Sequence, residues 1–98
     1  MFVTVSTDWA RSGEEDAIIA LHEDWETNQR SKVKGYFSGE SLRNIEDPSK
    51  FIAIMRFESQ EAAQALANDS EHDAWYRRLL SLTNASILSM YKSEWRCQ

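Results

Sequence analysis

Two histidines, at positions 22 and 72, are the side chains of this sequence best suited to proton-transfer chemistry. His22 lies three residues before Trp25, and His72 lies three and four residues before Trp75 and Tyr76. A neutral imidazole beside apolar side chains can act as a general base on a phenol or a hydroxyketone. The structural alternatives are that His22 borders the core and hydrogen-bonds locally, and that His72 is an exposed residue of a first helical turn.

The aromatic residues near these histidines predict a place for an apolar ligand. Trp25, Trp75 and Tyr76 could wall a cleft between helices and sheet, which would suit a small aromatic substrate, or they could simply fill the core. Ser6 and Asp8 have the same parity in a strand-like segment, so their side chains point to one face of the sheet. If that face meets the helices, Ser6 is a substrate-binding candidate. If it meets water, it has no such role.

The sequence predicts neither a metal ion nor a bound cofactor. His22 and Glu26 have helical i,i+4 spacing, but no third ligand accompanies them. There is no glycine-rich phosphate loop and no dinucleotide fingerprint. Cys97 is the only cysteine, so it cannot form an internal disulfide, and its place one residue from the end of the sequence does not favour catalysis.

Composition and charge exclude several classes of partner. The net charge is −5 among 98 residues, so there is no basic surplus for binding a phosphate backbone, and nucleic acid is not expected. The hydrophobic fraction of 42% is typical of a folded domain. Met1 leads directly into a strand-like segment without a signal-peptide pattern or a long apolar run. We therefore expect a cytoplasmic protein that neither enters nor spans a membrane.

Apolar spacing predicts four strands and three helices that must position these side chains. Alternating or continuous apolar residues indicate strands, and an apolar residue every three or four positions indicates a helix. A capping box at Ser12 and Glu15 marks the expected start of the first helix, and Gly39 suggests a bulge in the second strand. The expected strands cover residues 2–9, 36–45, 51–58 and 85–95, and the expected helices cover 12–30, 60–67 and a segment from Asp69 or Ser70 to the early eighties.

The element order β-α-β-β-α-β predicts a single α+β domain over residues 1–98, with the ferredoxin-like arrangement of a four-stranded antiparallel sheet and helices on one face. The second helical segment of that order is a pair of helices here. Residues 51–55 are apolar at both parities, so both faces of the third strand require cover. The helices cover one face, and a second sheet is the natural cover for the other. We therefore expect a homodimer that packs sheet to sheet.

Residues 36–82 resemble the antibiotic biosynthesis monooxygenase superfamily. The residues that carry the resemblance are GYFSGESLRNIEDPSKFIAIMRFESQEAAQAL and NDSEHDAWYRRLLSL. The resemblance implies ferredoxin-like units that dimerise into an α+β barrel. It disfavours the haem-degrading branch, because the positions that match that branch's asparagine, tryptophan and axial histidine hold Thr7 or Asp8, Leu66 and Trp75.

The resemblance and the candidate residues together predict a cofactor-independent monooxygenase that acts on a small aromatic or polyketide-like molecule. His22 or His72 would be the base, and Trp25, Trp75 and Tyr76 would form the cage. One alternative is an isomerase or tautomerase of a small hydroxycarbonyl compound that uses the same base. Another is a non-catalytic dimeric module that binds a metabolite in the cleft.

Overall fold

The computed structural model describes residues 1–96, so Cys97 and the predictions made for it lie outside the described residues. The predicted order of elements is confirmed. In chain order the elements are β1 (Phe2–Ala10), α1 (Glu15–Asn28), a short 3₁₀ turn (Arg30–Lys32), β2 (Tyr36–Arg43), β3 (Lys50–Phe57), α2 (Gln60–Ala67), α3 (Ser70–Ser81) and β4 (Thr83–Lys92).

The four strands form one antiparallel sheet in the order β2-β3-β1-β4. The hairpin between β2 and β3 pairs Ser41 with Ala53, as the short connection between the two strands predicts. The central strand β1 pairs with β3 on one side and with β4 on the other. The connections through α1 and through the α2–α3 pair place these strands side by side, which is the ferredoxin-like α+β arrangement predicted from the sequence.

The core lies between the helices and one face of the sheet. Ile18 and Leu79 are almost completely buried, as are Phe51 and Phe57 from β3. Burying an aliphatic or aromatic side chain of this size contributes about 1.5–3 kcal/mol each. These contacts fix the helices over the sheet and so determine where the histidines lie.

The start of α1 differs from the prediction. The N-cap residue is Glu14 and no side chain caps the helix, so the predicted capping box at Ser12 is wrong. Gly13 has φ 85°, a left-handed conformation that turns the chain between Ser12 and the helix. The Glu15 carboxylate does reach back, but it accepts from the backbone N–H of Gly13 at 3.1 Å.

Other boundaries also differ, among them β2, which ends at Arg43 rather than at residue 45, and β3, which covers Lys50–Phe57 rather than 51–58. α1 ends at Asn28 rather than near residue 30, because the chain tightens there into the 3₁₀ turn. β4 begins at Thr83 and ends at Lys92, as far as its pairing with β1 extends. The irregularity in β2 falls between Tyr36 and Ser38 rather than at Gly39.

The helix pair begins as predicted. The Ser59 hydroxyl accepts a hydrogen bond from the backbone N–H of Ala62 at 3.2 Å, which caps α2. The Asp69 carboxylate accepts from the backbone N–H of His72 at 3.0 Å, which caps α3 and fixes the first turn that carries this histidine. In the part of the chain that the structure describes, no helix is long and apolar enough to cross a membrane.

Candidate active site

A cavity of about 920 Å³ lies between the helices and the sheet, with an apolar wall for the most part. The helix-facing side of β1 and β3 forms its floor. The six residues that the sequence predicts for the site all line it: Ser6, His22, Trp25, His72, Trp75 and Tyr76. The fold thus brings together side chains from β1, α1 and α3. The volume of the cavity suits an organic molecule of drug size or smaller.

His22 lines this cavity from α1, and neither of its ring nitrogens makes a hydrogen bond of normal geometry within residues 1–96. Both nitrogens are buried, and the backbone of Ile18, one turn earlier in α1, is close enough to favour a proton on the ring. Its ring meets the edge of Trp75 at a centroid distance of 5.6 Å. Burial lowers the pKa of His22 below its ordinary value, and the negative charge of Asp8 and the backbone of Ile18 oppose this only in part. The ring is therefore neutral near pH 7, with one nitrogen lone pair that no protein group uses.

A buried polar cluster of Ser6, Asp8 and Ser86 lies beside the cleft, and Ser6 is the member that lines it. Asp8 is fully buried on β1, and its carboxylate accepts from the Ser6 hydroxyl at 3.1 Å and from the Ser86 hydroxyl at 2.5 Å. Ser86 reaches it because β4 pairs Ser86 directly opposite Asp8. These hydroxyl donors offset the free energy that it costs to remove a carboxylate from water. Asp8 therefore supplies a fixed acceptor group close to the cleft.

His72 differs from His22 in that its ring accepts a hydrogen bond from another side chain. The indole N–H of Trp25 donates a hydrogen bond to Nδ1 of His72 at 3.2 Å. The imidazole also stacks on Trp75, with centroids 5.6 Å apart and an interplanar angle of 20°. Burial lowers the pKa of His72, while the carboxylates of Asp69 and Asp73 partly offset this.

The two tryptophans of the cage are fixed by polar contacts as well as by packing. The indole N–H of Trp75 donates to the backbone carbonyl of Leu21 at 2.9 Å, which joins α3 to α1. Both Trp25 and Trp75 are buried, and Tyr76 is half-buried beside His72. Burying an indole N–H costs little free energy when it has a hydrogen-bond acceptor. These two rings can therefore line a cleft without leaving an unpaired donor.

Tyr36 is a cleft residue that sequence reasoning placed only as the start of a strand. Its ring packs against Trp25 and Phe57 at centroid distances of 5.2 and 5.8 Å, and the Arg30 guanidinium lies 5.3 Å from the ring centre. Burial raises the pKa of the Tyr36 phenol. Its hydroxyl occupies the space where a Cβ on Gly39 would be, so this glycine is required for close approach rather than for a bulge.

Glu26 lies at the rim of the cleft and pairs with Arg30 on the surface of α1, rather than facing the same point as His22. Among residues 1–96, no group of three His, Cys, Asp or Glu side chains is placed to share a metal ion.

A ferredoxin-like domain with an apolar cleft between its helices and sheet is the class of protein that this fold and site define. The chain belongs to the antibiotic biosynthesis monooxygenase family, whose model matches residues 1–78. That match covers β1, α1, both strands of the hairpin, α2 and most of α3. It includes every side chain that lines the cleft except those from the end of α3 and from β4.

Solved structures with the same fold extend over nearly the whole chain. A protein from Nitrosomonas europaea named as an antibiotic biosynthesis monooxygenase is 14% identical, with a TM-score of 0.82 over 97% of this chain and 100% of its own. One from Deinococcus radiodurans with the same kind of name is 14% identical, with a TM-score of 0.83 over 100% and 97%. At these identities the likeness shows the fold alone.

A third structure of this fold has a named activity. A variant of SnoaB, a cofactor-independent oxygenase from Streptomyces nogalater, is 13% identical, with a TM-score of 0.84 over 97% of this chain and 95% of its own. No curated protein sequence matches the chain significantly.

Proposed function

We propose that this protein is a cofactor-independent monooxygenase that acts on a small aromatic or polyketide-like molecule, with His22 as its base. One observation carries the proposal: a neutral imidazole lies in the wall of an apolar cleft, and neither of its buried nitrogens makes a hydrogen bond of normal geometry to a group of residues 1–96. Such a group is poised to accept a proton from a ligand. Family membership and the fold shared with SnoaB support the same reaction class.

The proposed reaction needs only the substrate and dioxygen. His22 takes a proton from an acidic CH₂ group that is conjugated to a carbonyl, and the resulting carbanion passes one electron to dioxygen. The radical and superoxide combine to form a C–O bond, and the imidazolium returns its proton to give a hydroperoxide. Loss of water from the hydroperoxide then leaves a carbonyl. One oxygen atom ends in the product and the other in water, so the substrate is the only reductant.

The surroundings of His22 suit this sequence of steps. Asp8 lies near enough to His22 to favour its protonated form, so the imidazolium that forms after proton transfer is stabilised electrostatically. The hydroxyls of Ser6 and Ser86 hold the Asp8 carboxylate in place. The apolar cage of Trp25, Trp75 and Tyr76 would exclude water from the carbanion, which would otherwise be reprotonated.

An isomerase or tautomerase of a hydroxycarbonyl compound is the second candidate. It is favoured by the presence of two imidazoles on one cleft, each 5.6 Å from the ring of Trp75. One imidazole could remove a proton from carbon while the other serves the neighbouring oxygen, which is what enolisation requires. Such a reaction would consume no dioxygen.

We further propose that the protein is a homodimer, as the two-sided pattern of β3 predicts. Val5 and Thr7 pair with Ile54 and Ile52 on the face of the sheet away from the helices. On the same face, Ile87 is 55% exposed in the single chain. Sedimentation should give a dimer mass for the wild-type protein and a monomer mass for Ile87→Arg. A monomeric wild-type protein would contradict the proposal. The cytoplasmic location stays a prediction of the sequence.

The test of the proposed function is oxygen uptake by protein purified without metal, flavin or haem. A panel of anthrones, quinols and related phenols would be supplied in air, with an oxygen electrode and absorbance recorded together. We expect oxygen uptake above the uncatalysed rate, with one molecule of dioxygen consumed for each molecule of product formed. Spectral change without uptake would assign the protein to the isomerase class. Binding with no turnover would make it a non-catalytic module and would overturn the proposal.

A further inference from the structure

The hydrogen bond between Trp25 and His72 determines which nitrogen of His72 carries the proton. An indole N–H can only donate, so Nδ1 of His72 must be the acceptor in the 3.2 Å contact. A protonated imidazole would carry hydrogen on both nitrogens and could not accept this bond. The ring is therefore neutral, and its one proton lies on Nε2.

The second nitrogen of His72 is left for a ligand. Within residues 1–96, no protein group is hydrogen-bonded to Nε2, and the residue lines the cleft. Stacking on Trp75 and Tyr76, with interplanar angles of 20° and 11°, restricts rotation of the ring. The capped backbone of the first turn of α3 holds the residue at its base. His72, which lines the cleft, therefore keeps an N–H group whose ring is held in a fixed orientation.

We propose that His72 is a hydrogen-bond donor to a carbonyl or phenolate oxygen of the substrate, and that Trp25 is the positioning residue that keeps the proton on Nε2. His72 is thereby excluded as the base, and the two histidines have complementary tasks. This inference rests on the proposed function, in which an anion forms on the substrate.

The inference narrows the class of substrate. Each imidazole lies 5.6 Å from the ring of Trp75, so their centres are no more than twice that distance apart. A fused-ring molecule can span this gap with an acidic C–H or O–H at His22 and an oxygen acceptor at His72. Saturated hydrocarbons, and ligands whose only polar group is an amine cation, have no oxygen that could accept a hydrogen bond from His72. They are therefore not expected as substrates. Donors aimed at a developing enolate oxygen accelerate such reactions because they are in place before the charge appears.

The first test measures the tautomer directly and needs no substrate. The chain has only two histidines, so long-range ¹H–¹⁵N spectra of ¹⁵N-labelled protein near pH 7.5 show two imidazoles. His72→Gln assigns the two signals. In the wild-type protein we expect the His72 signal to be that of the Nε2–H tautomer. In Trp25→Phe we expect a mixture of the Nε2–H and Nδ1–H tautomers of His72. Trp75→Phe is the matched control, since its N–H serves Leu21 rather than a histidine.

A wild-type His72 with its proton on Nδ1, or one that is charged at this pH, would overturn the inference whether or not the protein consumes oxygen. Failure of the proposed function gives a different pair of results. An Nε2–H tautomer in a protein without oxygen uptake would contradict the monooxygenase and leave the donor standing.

The second test uses a ligand that accepts hydrogen bonds but cannot react. A dihydroxyanthraquinone has carbonyl and phenol oxygens and no abstractable C–H, so its fluorescence-detected Kd reports binding alone. Loss of one hydrogen bond weakens binding about tenfold, and we expect this of His72→Leu. His72→Gln keeps an N–H donor and should recover most of the affinity. Equal Kd values for wild type and His72→Leu would overturn the donor assignment.

Discussion

His22 and His72 lie on one cleft, contact the same tryptophan and have pKa values lowered by the same cause, yet their surroundings give them different chemistry. Both are half-buried, and the partial loss of water disfavours the imidazolium. Around His72, aromatic side chains supply a donor and two stacking rings. His22 instead makes no hydrogen bond of normal geometry among residues 1–96, and the Asp8 charge and the Ile18 backbone both favour its protonation. The hydrogen bond from Trp25 to His72, more than the extent of burial, therefore makes His72 a donor and leaves His22 as the base.

The largest expected effect is that of removing the base. His22→Gln keeps a polar side chain of similar size but cannot hold a proton, so kcat/KM with the substrate found in the oxygen assay should fall about 10²- to 10⁴-fold. The kinetic measurement should be paired with circular dichroism and a melting curve. His72→Gln is the matched control, because it keeps an N–H donor and should lose far less activity. Equal losses in the two variants would remove the distinction between the histidines.

The next effect is that of Asp8 on His22. Asp8→Asn removes the charge that favours the imidazolium, so the pKa of His22 should fall further and the acid limb of kcat/KM should move to lower pH. The rate should also drop, since the imidazolium loses its counter-charge. Asparagine keeps one acceptor oxygen for the Ser6 and Ser86 hydroxyls but replaces the other with a buried NH₂ group, which should lower the free energy of unfolding by about 1–3 kcal/mol, measured in urea. An acid limb that moves upward would contradict the proposed coupling.

A smaller effect concerns the aromatic side of the cleft. Gly39→Ala places a methyl group where the Tyr36 hydroxyl lies, so Tyr36 must shift from Trp25, at a cost of about 1–3 kcal/mol in unfolding free energy. Tyr36→Phe removes the colliding hydroxyl. The double variant should therefore be more stable than the sum of the two single changes predicts, as a double-mutant cycle by urea unfolding would show. Simple additivity would mean that the two residues do not interact.

The smallest effect is on the pH dependence of stability. Both histidines have folded pKa values below the ordinary value of 6.5, so the unfolded chain binds more protons between the folded pKa and that ordinary value. Their contribution to the free energy of unfolding is complete above pH 6.5 and decreases as the pH falls from there through the folded pKa. The His22→Gln, His72→Gln double variant should show a smaller decrease over that window. A wild-type protein that becomes more stable on acidification there would contradict the lowered pKa values.

The sequence was sufficient to predict the architecture because local patterning and topology agree. The alternation of β1 placed Ser6 and Asp8 on one face, and the helical spacing of α1 and α3 placed each histidine beside its tryptophan. Once the helices cover that face, these side chains must meet. All six predicted site residues line the cleft for this reason.

The features that could not be predicted depend on contacts between distant residues. The Trp25–His72 hydrogen bond joins residues 47 apart, and the Asp8–Ser86 bond joins residues 78 apart. The contact of Tyr36 with Gly39 depends on the irregular register at the start of β2. Ser12 failed as a cap because the left-handed turn at Gly13 begins the helix later than the motif suggests. These are the contacts that separate the roles of the two histidines.

The role of His22 as the base is tested most sharply by mixing substrate with the protein in the absence of oxygen. If His22 is the base, the wild-type protein should convert a bound anthrone to its anion without oxygen, seen as a red-shifted absorbance band. The band should then decay when dioxygen is admitted. His72→Gln should still form the anion, and His22→Gln should not. An anion that forms equally well in His22→Gln, or a wild-type protein that forms none before oxygen arrives, would show that His22 is not the base.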